Sequence, residues 1–154
     1  MARMKVEVTQ ASVDEKPIVR RLLELNSHDF SEIDGRELGL HGEFGYPYLD
    51  HYWLEGENRF PYIVRVDGYI GGLALVRAGT PHRFGEFFIV RKHRRNGVGT
   101  IAAQEIFRLF PGEWLLEEIP GNDDAVAFWR RIIPTDFTET VNSEGTAQRF
   151  VSKP

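Results

Sequence analysis

Cysteine is absent from the 154 residues, and methionine occurs only twice. Without thiols there can be no disulfide framework, no thiolate nucleophile and no cysteine-ligated zinc or iron–sulfur site, a composition that suits a reducing compartment. Long apolar runs are missing too. None approaches the roughly 18 residues of a spanning helix, and the opening "MARMKVEVTQ" lacks the apolar core of a signal peptide. The expectation is a soluble, cytoplasmic protein with no membrane partner. Nor is there an excess of positive charge: the net charge of −4 and a pI near 5.7 argue against nucleic acid as a partner. The histidines, His28, His41, His51, His82 and His93, show no H-E-x-x-H spacing, and no G-x-S-x-G elbow occurs, so neither a metal nor serine-hydrolase chemistry is expected.

What is present is enough apolar material for one core. At 42% hydrophobic and 12% aromatic residues, with no linker, repeat or low-complexity segment, residues 1–154 read as a single domain. "KVEVTQ" (5–10) alternates with period two and predicts a strand. Ser12 followed by Glu15 is a capping-box pattern that opens a helix through about Asn26, with Pro17 in its first turn. Residues 28–59 break into acidic and aromatic pieces and predict a long ordered loop holding one short helix. Two β-rich runs flank Asp67-Gly68, the strongest hairpin signal in the chain. "GEFFIV" (85–90) is another strand, followed by an amphipathic helix over 98–110, a strand over 113–119 and a helix over 125–133 stopped by Pro134. "DFTETVN" and "AQRFVSK" predict a closing hairpin. The unit 85–119 is a βαβ crossover, expected to be right-handed and to set two parallel strands in an otherwise antiparallel sheet. The fold class is therefore α/β (α+β).

The stretch "RKHRRNGVGT" (91–100) places four cations and a histidine ahead of two glycines at the start of a helix. Unpaired backbone N–H groups and the helix dipole favour an anion there. Gly97 and Gly99 allow positive φ and remove side chains, so that a pyrophosphate can approach the amides. "GVGTIA" also fits the dinucleotide pattern G-x-G-x-x-G/A, with Glu117 about 20 residues on. Against a dinucleotide-binding fold, six residues separate strand from glycines, and the βαβ unit follows an antiparallel hairpin. A phosphate-binding Walker loop is excluded because Gly-Lys-Ser/Thr does not occur here.

"FFIVRKHRRNGVGT" resembles motif A of the GNAT superfamily of acyl-CoA-dependent N-acetyltransferases, Arg94 to Gly99 matching its R/Q-x-x-G-x-G/A signature. "NDDAVAFWRRI" (122–132) is similar to the family's N-x-x-A-x-x-F-Y stretch, and the predicted element order is that of the GNAT fold. The phrase spanning both motifs also resembles a group of bacterial predicted acetyltransferases. The resemblance implies a mixed, mostly antiparallel sheet with the parallel βαβ at the cofactor site and helices on both faces. It also implies acetyl-CoA as cosubstrate, without a metal, and direct acetyl transfer to an amine on a small molecule or peptide. The pyrophosphate would rest on backbone amides of Arg94, Arg95, Asn96, Gly97, Val98, Gly99 and Thr100. Backbone at Phe88, Ile89 and Val90 would pair with the pantetheine arm where the two parallel strands splay. Some of Arg91, Lys92, Arg94 and Arg95 would meet phosphates, and Asn122 would touch the cofactor or cap its helix.

One position departs from the family. Where the usual tyrosine protonates the departing thiolate, this chain has Trp129, whose indole N–H can hydrogen-bond the sulfur but cannot act as that acid. A noncatalytic acyl-CoA-binding module is the competing expectation. Glu86, on the strand before the cofactor segment, is the candidate general base, with Glu117 and Glu118 in reserve, one pointing to each face. In "HGEFGYPYLDHYW" (41–53), Glu43, Asp50 and His51 accompany Phe44, Tyr46, Tyr48, Tyr52 and Trp53. This loop either lids a pocket for a cationic amine or packs against the sheet. The exposed ends of such sheets would permit a homodimer.

Overall fold

The computed structural model describes residues 3–154. Four strands, β1 (Val6–Gln10), β2 (Arg59–Val66), β3 (Tyr69–Arg77) and β4 (Arg83–Ile89), form an antiparallel sheet in that order. A second antiparallel sheet has the order β5-β7-β6, from β5 (Gly112–Glu118), β6 (Thr138–Asn142) and β7 (Gly145–Ser152). The expected parallel pairing of β4 with β5 contracts to a single bridge, His82 to Trp114. There the His82 N–H donates to the Glu113 carbonyl (2.8 Å) and the Leu115 N–H to the His82 carbonyl (3.0 Å). Among the described residues no further pairing joins the two strands, so they part beyond the bridge.

Three helices cover these sheets: α1 (Lys16–Asp34), α2 (Val98–Leu109) and α3 (Asp123–Ile132). Helix α1 follows a turn of 3₁₀ helix (Val13–Glu15) in which Glu15 accepts a hydrogen bond from the Ser12 N–H at 3.1 Å. It does not stop near Asn26 but runs to Asp34, where Gly35 closes it at φ 73°. The buried positions explain the extra turns: Val19, Leu22, Leu23, Asn26 and Ser27 follow the i, i+3, i+4, i+7, i+8 rule, so the two polar residues continue the inward face. The predicted loop correspondingly shrinks to 35–58, with a 3₁₀ turn at Leu49–Trp53.

The hairpin turn at Asp67-Gly68 has positive φ at both residues (51° and 84°), the conformation of a type I′ turn. Two glycine bulges interrupt the pairing. Val64 faces Gly72 and Arg65 faces Ile70, leaving Gly71 extra on β3; Leu75 faces Glu86 and Val76 faces Phe84, leaving Gly85 extra on β4. On one face of the four-stranded sheet, Ile63, Leu73, Leu75 and Phe88 pack under Val19, Leu22 and Leu23 of α1 together with Leu49 and Tyr52. On the other face, Tyr62, Ala74 and Val76 meet α2 through Ala103, Ile106 and Phe107, and Trp129 of α3 joins them. Helices thus lie on both faces. No helix among the described residues is long and apolar enough to cross a membrane.

Candidate functional site

The loop ahead of α2 is built on left-handed backbone at Arg95 (φ 67°) and Gly97 (φ 88°), and Gly97 is the residue that opens the helix. A side chain at Gly97 would meet nothing within 4 Å, whereas one at Gly99 would press on the Phe128 ring at 3.2 Å. The two glycines therefore serve different ends: Gly97 shapes an open loop, and Gly99 lets α2 and α3 approach. The first N–H groups of α2, including those of Val98, Gly99 and Thr100, lack intrahelical acceptors by the geometry of any helix start. Such a terminus suits an anion, and the exposed loop leaves it reachable.

The four cations divide into two pairs. Arg91 (2.8 Å) and Arg94 (2.5 Å) both bind the Asp29 carboxylate on α1, and Arg94 Nε donates to the Ile89 carbonyl at 2.7 Å. Those arginines clamp the loop to the first helix and, after the opposing cost of burial, hold the Asp29 pKa below the ordinary 3.8. Lys92 and Arg95 are exposed and make no ion pair among the described residues. They are the two free to meet phosphates.

Just after β4 the Val90 N–H donates to the Gly71 carbonyl at 2.8 Å. Because hydrogen-bonded and non-bonded pairs alternate in an antiparallel ladder, Phe88 likewise turns its backbone groups to β3, and Ile89 turns its own away from β3, where its carbonyl accepts from Arg94. Asn122 stands at the start of α3 without making a side-chain capping bond, so its amide is uncommitted. Trp129 is 7% exposed and stacks on Phe84 (centroids 5.4 Å) within a ring cluster that includes Phe87 and Phe107.

Glu86 points to the α1 face. Its carboxylate accepts a hydrogen bond from Asn26 Nδ2 at 3.1 Å, and burial pushes its pKa up to about 7, against the weaker opposing pulls of that hydrogen bond and of the Arg36 guanidinium. Tyr46 and Tyr52 come from the aromatic loop to the same place. Burial raises both phenols, and the Glu86 charge adds to the shift, while Arg59 and Arg77 pull Tyr52 back down. The Tyr52 hydroxyl is buried beside that of Tyr46, in space that exists because Gly85 has no side chain. The loop is fastened rather than free: Glu24 accepts from the N–H groups of Phe44 (2.8 Å) and Gly45 (2.9 Å), Arg20 pairs with Glu43, and Lys16 pairs with Asp50. Trp53 Nε1 donates to the Ala11 carbonyl at 3.1 Å. His51 lies near Glu57 (3.7 Å).

The reserve glutamates do point to opposite faces. Glu117 is exposed and paired with Arg83, whereas Glu118 is buried with both carboxyl oxygens unpartnered, its pKa pushed up to about 7 by burial and by the Glu139 charge. Sequence reasoning missed Asn26 and Arg36, because nothing local shows that α1 continues past Asn26 to meet β4. It also missed a row of arginines: Arg59 faces Arg77 on β2 and β3, and Arg77 faces Arg83 on β4.

The sequence profile of the Acetyltransferase (GNAT) family matches residues 19–133. No curated protein matches the sequence. Among solved structures, an acetyltransferase from Thermus thermophilus superposes with a TM-score of 0.69 at 16% identity, over 95% of both chains. The PaiA N-acetyltransferase of Thermoplasma acidophilum, solved with coenzyme A, gives 0.68 at 9% identity over 96% of this chain and 99% of that one. An aminoglycoside acetyltransferase, also in complex with coenzyme A, gives 0.65 at 14% identity over 96% and 95%. These likenesses establish the shared fold, and with the profile match over most of its length the chain belongs to the GNAT acetyltransferase family.

Proposed function

We propose that the protein is an acetyl-CoA-dependent N-acetyltransferase that passes the acetyl group directly to an acceptor amine. The observation that carries this reading is the Glu86 carboxyl, buried beside the β4–β5 parting, held by Asn26 and shifted to about 7. A carboxylate so poised takes a proton from an arriving ammonium, directly or through one water, and frees the nitrogen lone pair. Nitrogen then bonds to the acetyl carbonyl carbon as the C–S bond breaks, and coenzyme A leaves as its thiolate, which takes up the second amine proton directly or through water.

The loop fits the cosubstrate. Its open left-handed turn at Gly97 and the amides from Arg94 to Thr100 suit the pyrophosphate, with Lys92 and Arg95 free for phosphate charge. Backbone at Phe88, Ile89 and Val90 is proposed to run beside the pantetheine arm, Ile89 being the one turned away from β3. Asn122 and Trp129 complete the cofactor side on the family pattern. Two of the superposed proteins were solved with coenzyme A, which favours the same ligand here.

The noncatalytic alternative is favoured by Trp129, which occupies the family's tyrosine position inside a ring cluster and brings no titrating acid. Acetyl-CoA consumption across an amine panel separates the two readings. Turnover that falls about 10²–10⁴-fold in Glu86→Gln supports catalysis with Glu86 as base. Binding of acetyl-CoA without consumption would leave the binding module, and full activity in Glu86→Gln would remove the base assignment. NAD serves as the control ligand: stabilisation by NAD alone would point to dinucleotide binding.

A further inference from the structure

Resting on the reading of Glu86 as the amine's base, we propose that the acceptor carries an anionic group, a carboxylate or a phosphate, held by Arg59, Arg77 and Arg83. Each of these faces the next across the sheet at the same register position, so all three side chains leave one face, the α1 face that also carries Glu86. Like charges directly opposed on neighbouring strands repel. The repulsion is only partly relieved within the chain. Arg83 pairs with Glu117, and Arg59 lies over the Tyr52 ring at 5.7 Å, but Arg77 is exposed and has no ion-pair partner among the described residues. A bound anion is the missing countercharge, and guanidinium groups take carboxylate and phosphate in bidentate fashion.

A cleft of about 230 Å³ is lined by the three arginines with Glu57, Asn58, Ala78 and Pro81, so three cations face one carboxylate in a space for a short organic anion. The Glu57 carboxylate lies 3.7 Å from His51. Tyr52 lies between the cleft and the base: its buried hydroxyl sits against Gly85, the bulge residue between Arg83 and Glu86, and feels the charges of Arg59, Arg77 and Glu86. Three residues of strand span about 10 Å, and the long arginine arms shorten that distance, so amine and anion on the acceptor should be roughly 5–8 Å apart. This separation fits an ω-amino acid or ω-aminoalkyl phosphate better than an α-amino acid.

Binding and turnover test the proposal separately. The coenzyme A-loaded protein would be titrated calorimetrically with 5-aminopentanoate, its carboxamide and 4-aminobutylphosphonate, and the same three compounds offered as acceptors with acetyl-CoA. The expected result is that at least one anion binds at least about tenfold more tightly than the carboxamide, and the better anion identifies the group. Arg77→Gln should shrink that preference to within about twofold, as should Arg59→Gln if one variant fails to fold. Equal affinity for anions and carboxamide, no binding of any of the three, or a preference that survives both substitutions would overturn the arginine assignment. An arginine-dependent preference without acetyl transfer would uphold the anion cleft and count against the acetyltransferase reading instead.

Discussion

Glu86 shows how surroundings change the ionisation of one carboxyl. In water it would ionise near 4.5; burial lifts it to about 7, and the Asn26 amide keeps part of the charged form's stabilisation. On the proposed reading, kcat/KM should climb as pH rises through about 7 and then level off. Asn26→Leu should move that midpoint upward, because the hydrogen bond favouring the ionised form is lost. A profile without any step near 7 would show that Glu86 does not govern the rate. Glu118 has a similar shift without such a partner. The folded state binds its proton more tightly than the unfolded chain does, so the contribution of Glu118 to stability is full below about 4.5 and is lost as pH rises through about 7. Thermal melts from pH 4 to 8 should show this decline on top of that from Glu86, and Glu118→Gln should flatten it. An unchanged slope in the variant would mean that Glu118 is solvated in solution.

At the level of elements, the two bulges determine which side chains meet. Were Gly71 paired rather than bulged, Arg59 would face Val76, and were Gly85 paired, Arg77 would face Phe84; each bulge shifts the register by one and brings the arginines into line. Gly85 has a second role, since any Cβ there would collide with the Tyr52 hydroxyl. Gly85→Ala should therefore lower the melting temperature by an amount corresponding to about 1–3 kcal/mol of overpacking, and Tyr52→Phe in the same chain should restore most of the loss. If the two losses simply added, the hydroxyl would not be the group that Gly85 accommodates. Helix α1 is the other decisive element. Its last turns bring Asn26 to Glu86 and Asp29 to Arg91 and Arg94, so one helix fastens both the proposed base and the proposed phosphate loop.

Over the whole molecule, β4 and β5 part because, among the described residues, their backbones pair only at the bridge of His82 and Trp114, while Phe107 of α2 and Trp129 of α3 pack rings against Phe84 and Trp114 beneath. A ligand in that gap binds the folded state only. Acetyl-CoA at about 100 times its dissociation constant should add roughly 2.7 kcal/mol and raise the unfolding midpoint by several degrees. No shift at that excess would contradict the proposed cosubstrate site.

The sequence by itself determined the element order, the hairpin at Asp67-Gly68, the crossover from β4 through α2 to β5 and the glycine loop at its centre. Those features depend on local turn chemistry and periodicity, which a single strand of text carries. Only the tertiary structure decided that α1 continues through Asn26 and Ser27, because polar residues on an inward face look like a helix end until their partner on β4 is known. It likewise decided that Arg94 clamps rather than merely decorates the loop, that Gly99 serves the contact with Phe128, and that arginines of three strands share one row. Each of these is a pairing across 27 or more residues or a register set by a bulge, and neither leaves a periodic trace in the sequence.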